Sequence, residues 1–125
     1  MIEPYDPRYL QGIDYFNRRA FFHAHEVWEE LWTGTQGPTR QFYQGLIQVA
    51  VCLHHFGNGN LRGALKLYHS STGYLRAYLP QHAGLDVAHL LHELEVCCAP
   101  LLGNLEQRPR VTLVPDQIPR IRLSL

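Results

Sequence analysis

Phe21-Phe22-His23-Ala24-His25-Glu26-Val27-Trp28-Glu29-Glu30-Leu31-Trp32 sets five titratable side chains among four large aromatic rings. Its apolar positions recur every three or four residues, the spacing of one face of a helix. Burying ionisable groups beside aromatics is expensive unless they are paired, hydrogen-bonded or bound to something. The segment therefore carries either function or a polar network that the fold needs. A second interrupted apolar run, Gln44-Gly45-Leu46-Ile47-Gln48-Val49-Ala50-Val51-Cys52-Leu53-His54-His55, can supply the other half of such a network.

Asp6-Pro7 opens a first helix, because the carboxylate can accept from a free backbone N–H and proline suits the first turn. The apolar stripe changes phase near Arg18-Arg19-Ala20, which predicts two helices before the break at 33–38. A third runs from Pro38 or Thr39 to Phe56, and a fourth from Leu61 to about Tyr78 with Asn60 as its cap. Close packing is the expected reason for Gly63 and Gly73 within that fourth helix. A fifth helix starts after Asp86 and presents Val87, Leu90, Leu91, Leu94 and Cys98 to the core. The fold class is all-α, a compact array of about five helices with an extended C-terminal tail. Residues 1–105 form the helical domain, and residues 106–125 lie on it or on a partner chain.

Composition narrows the function. The chain has 125 residues, one domain's worth, and its 11 basic and 11 acidic side chains give no net charge. A phosphate-tracking surface needs a basic face, so no nucleic-acid partner is expected. No run is long and apolar enough for a membrane span, and the start lacks a signal peptide's pattern, so the expectation is a cytoplasmic protein that spans no membrane. Cys52, Cys97 and Cys98 read as reduced, buried small hydrophobes. Ser70-Ser71 has no nucleophile signature around it, which argues against covalent catalysis.

At ~100° per residue, His25 and Glu29 lie ~40° apart on the edge of the apolar stripe, while Gln44, Gln48 and His55 form one row on the third helix. If the two helices pack, these residues share a polar pocket. Imidazole and carboxylate suit zinc, iron, nickel or manganese, giving a divalent-metal set of His25, Glu29 and His55. Gln44, Gln48 and Trp32 would then contact a small ligand. Metal-dependent hydrolysis would use Glu26 or Glu29 as general base. The competing reading is a non-catalytic interaction or structural module, such as a homodimer, in which His25 and Glu29 form only a buried hydrogen-bond network. On that reading Glu29→Gln destabilises the fold by about 1–3 kcal/mol.

The run from Phe22 to Trp32, followed by Gln44-Gly45-Leu46-Ile47-Gln48, His54-His55 and Gly59-Asn60-Leu61-Arg62-Gly63-Ala64, resembles domain of unknown function family 309. The resemblance covers roughly Asp6 to Tyr78. It implies a compact array of about five helices and an intracellular protein, and brings no established activity with it. By position, the family's motif residues are His25, Glu26, Glu29, Trp32, Gln44, Gly45, Gln48 and one of His54 or His55. Where relatives often have a Gly-Asp-like turn, this chain has Arg18-Arg19-Ala20.

Overall fold

The computed structural model describes residues 5–103 and 111–124. Five α-helices carry the fold: α1 (Pro7–Asn17), α2 (Phe21–Thr33), α3 (Arg40–Gly57), α4 (Leu61–Leu75) and α5 (Val87–Cys98). Among the described residues the architecture is all-helical apart from one hairpin, β1 (Gln81–His82) paired antiparallel with β2 (Leu85–Asp86), and a single bridge from Leu85 to Leu123. Two 3-10 turns, Arg76–Tyr78 and Ala99–Leu102, extend α4 and α5, so α4 proper ends three residues before Tyr78. Among the described residues no helix is long and apolar enough to cross a membrane.

Side-chain caps set three helix starts. Asp6 accepts from Arg8 N at 2.8 Å, Asn60 from Gly63 N at 3.0 Å and Asp86 from His89 N at 2.9 Å, each satisfying an amide that the helix leaves free. The ends of α1 and α3 share one motif. Ala20 N donates to Tyr15 O and Arg19 N to Phe16 O after α1; Asn60 N donates to His55 O and Gly59 N to Phe56 O after α3. The left-handed position is Gly59 in one case and Arg19, at φ 65°, in the other.

Helix α3 lies between α2 and α4 and packs extensively on both, while α1 packs on α2. Trp28 fills the α1–α2 contact. Its indole is fully buried, donates to Tyr9 O at 3.2 Å, and occupies the space that any Cβ at Gly12 would need. At the α3–α4 contact a Cβ on Gly45 would come within 2.8 Å of Leu75 Cδ2. Close approach between helices thus belongs to Gly12 and Gly45. Gly63 is also closely packed, its place for a Cβ lying 2.6 Å from the side chain of its own Asn60 cap rather than against another helix, whereas Gly73 has open space and the packing expected there is absent.

The hairpin was not foreseen from the sequence. It is closed by a two-residue turn, Ala83-Gly84, with φ of 49° and 73°, the sign pattern of a type I′ turn. Tyr9 donates to Ala83 O at 3.0 Å, and His82 Nε2 lies 3.1 Å from Thr39 Oγ1, between the rings of Phe42 and Tyr78. Leu85 bridges Leu123 of the tail, and Ser124 N donates to Gly84 O. Described tail residues therefore lie on the bundle, with Ile121 buried. The expected domain boundary at 105/106 falls outside the described residues.

Candidate functional site

Helices α2 and α3 run antiparallel. Phe22, at the start of α2, stacks 5.4 Å from the His54 ring near the end of α3, and the Arg40 guanidinium at the start of α3 lies 3.9 Å over the Trp32 ring at the end of α2. The cation–π contact was not anticipated, although a short link between α2 and α3 brings those two ends together.

On α2 the predicted pair forms. His25 Nε2 lies 2.9 Å from Glu29 Oε2, and His25 Nδ1 lies 3.3 Å from Phe22 O, so both ring nitrogens face an oxygen. Glu29 is 57% exposed at its side chain, which corrects the expectation of a buried hydrogen-bond network. Glu26, Glu30 and Thr33 join the pair along a shallow groove open to solvent. The candidate bases Glu26 and Glu29 therefore share one acidic surface strip.

His55 does not join them. Its Nδ1 lies 3.3 Å from the Asn60 side-chain nitrogen, and it is His54 that reaches α2, through Phe22. Among the described residues, no three His, Cys, Asp or Glu side chains come together as a group that could hold a metal ion. The set of His25, Glu29 and His55 is thus not assembled. Its geometry depended on His55 pointing at α2, and the neighbouring position takes that role.

Gln44 and Gln48 are half-buried, as is Trp32. Gln48 Oε1 and Trp32 Nε1 are both inaccessible to solvent and without a hydrogen-bond partner. One is an acceptor and the other a donor, on two helices that pack together. An unsatisfied buried polar atom costs about 1–3 kcal/mol, so native folds leave few without a reason.

The thiols and two of the hydroxyls are withdrawn from solvent. Cys52, Cys97 and Cys98 are buried and free. Hydrogen bonding to Cys98, then burial, pushes the Cys97 thiol up, and hydrogen bonding to Cys52 leads the same upward shift in Cys98. The hydroxyls of Ser71 and Thr72 donate to Tyr68 O.

Residues 9–67 match the family model described as Domain of unknown function (DUF309), a span that holds every residue of the α2–α3 seam discussed above. Over 86 residues the chain is 31% identical to the uncharacterized protein YpuF of Bacillus subtilis (strain 168), covering 66% of this chain and 49% of YpuF. The chain thus spans about half the length of that relative.

Proposed function

We infer that the α2–α3 seam, which lies within the stretch matching the DUF309 model, residues 9–67, binds a small neutral polar ligand without turning it over. One observation carries the reading: Trp32 Nε1 and Gln48 Oε1 are buried and unpartnered on facing helices. A ligand with a carbonyl acceptor and an N–H donor, as on an amide edge, complements both. Gln44 lies one turn from Gln48 and can orient such a group, while His25 and Glu29 form a polar rim. Binding is favoured over covalent turnover because the described thiols are buried and the Ser71 and Thr72 hydroxyls are bonded to backbone.

The test uses the chain's two tryptophans, whose indole N–H groups give separate signals in an amide-proton correlation spectrum. Acetamide is the probe. The expected result is a saturable shift of the Trp32 indole signal, no shift of the Trp28 signal, which is already bonded to Tyr9 O, and loss of the response in Gln48→Leu. A Trp32 signal that stays fixed at saturating acetamide overturns the reading and leaves the two atoms bridged by trapped water.

A further inference from the structure

A second cleft lies on the far side of α4 from the α2–α3 seam. It has a volume of about 320 Å³ and is lined by Tyr68 and Arg76 of the α4 segment, Leu91 and Glu95 of α5, and Leu79 and Ala88 near the hairpin. Tyr68, Thr72 and Arg76 recur every four residues, and Ala88, Leu91 and Glu95 follow the same helical rhythm, so two helix faces meet here.

Three features separate this cleft from ordinary surface. Tyr68 lines it with a hydroxyl that donates to no described residue and is not among the polar atoms sealed from solvent without a partner, so it is open to a ligand. Arg76 and Glu95 line the same cleft with opposite charge, and among the described residues neither has an ion-pair partner within 4.0 Å, including each other. Leu79, 47% exposed, gives the cleft an apolar wall that the protein leaves uncovered. Burial and then the nearby Glu95 carboxylate push the Tyr68 phenol upward, while Arg76 pulls it down, so the hydroxyl lies within the field of both charges.

We propose that this cleft binds a small zwitterion of the α-amino acid class with an apolar side chain: Arg76 takes the carboxylate, Tyr68 donates to it, Glu95 takes the ammonium, and Leu79, Ala88 and Leu91 seat the side chain. A guanidinium grips a carboxylate through a planar fork, which gives the carboxylate its orientation. The opposite charge fixes which end of the ligand lies where, and a molecule missing either charge leaves one of the two side chains unmatched.

The experiment is calorimetric titration of the full chain with L-leucine, 4-methylpentanoate and 3-methylbutylamine, which share the apolar group and differ in charge. The expected result is saturable leucine binding, with each single-charge analogue at least about tenfold weaker. Arg76→Gln and Glu95→Gln are each expected to weaken leucine by about tenfold or more, whereas Asp14→Asn on α1 leaves it unchanged. Circular dichroism verifies that these exposed positions leave the fold intact. Absence of leucine binding at millimolar concentration, equal binding of 4-methylpentanoate, or indifference to both cleft variants overturns the proposal.

Discussion

The side-chain amide of Asn17 exchanges two hydrogen bonds with the backbone of Ile121, Nδ2 donating to Ile121 O and Ile121 N donating to Oδ1, both at 2.8 Å. The last residue of α1 thereby reads the tail as a neighbouring strand would. Asn17→Ala is expected to lower stability by about 1–2 kcal/mol and to accelerate hydrogen exchange at the Ile121 amide. Asn17→Asp should not rescue it, because a carboxylate faces the Ile121 carbonyl without a proton to give. Unchanged exchange at Ile121 in both variants would show that Ile121 burial alone holds the tail.

Ala83 sits at φ 49°, where a Cβ is strained and a two-residue hairpin favours asparagine or glycine. Its carbonyl accepts from Tyr9, a bond that a substitution leaves in place, and its small side chain packs only partly buried at the edge of the core. Ala83→Asn is therefore expected to stabilise the protein by about 0.5–1 kcal/mol, read as a higher urea midpoint at constant slope.

Burial holds His82 below the ordinary histidine value. The contacts that surround it are the Thr39 hydroxyl and the rings of Phe42 and Tyr78, none of which compensates a positive charge by ion pairing. The neutral ring is the folded form, so its contribution is complete above the unfolded value of 6.5 and is lost as pH falls through the lowered folded value. The urea midpoint should drop more steeply from about pH 7 to about pH 5 in the wild type than in His82→Phe. Equal slopes would assign the acid sensitivity to other histidines.

Glu29→Gln is expected to change stability by less than about 0.5 kcal/mol, below the 1–3 kcal/mol suggested by a buried network. The carboxylate stands more than half exposed on its i, i+4 partner, where solvent screens the pair. Chemical denaturation of the variant decides between the two magnitudes.

Much of the helical frame was legible because the capping residues are short-range signals: Asp6 before Pro7, Asn60 before Leu61 and Asp86 before Val87 each act on an amide two or three positions away. The break at Arg19 was legible from the stripe's change of phase even though the left-handed residue is not glycine. The hairpin was not, because its turn uses Ala83 where the pattern calls for asparagine, and its strands are two residues each. The His25–Glu29 pair follows from spacing on one helix and could be read directly. His54 and His55 point about 100° apart, and choosing between them requires knowing where α2 lies around α3, a tertiary fact that one helix wheel does not contain. The Tyr68 cleft is hidden for the same reason, since Arg76 and Glu95 come to line one cleft only when α4 and α5 fold against each other.

The hairpin of six residues touches partners drawn from the whole length of the chain: Tyr9 of α1, Thr39 beside α3, and Leu123 and Ser124 near the other end, while its last residue caps α5. Neighbouring helices in this bundle close short loops, which form early and at little entropic cost, but these contacts join segments separated by about forty residues or more. Contacts of such separation are expected to close late in folding and, once closed, to bind the helical pairs into one cooperative unit. The expected signature is collective hydrogen exchange, in which α1, α5 and the tail open together rather than in sequence.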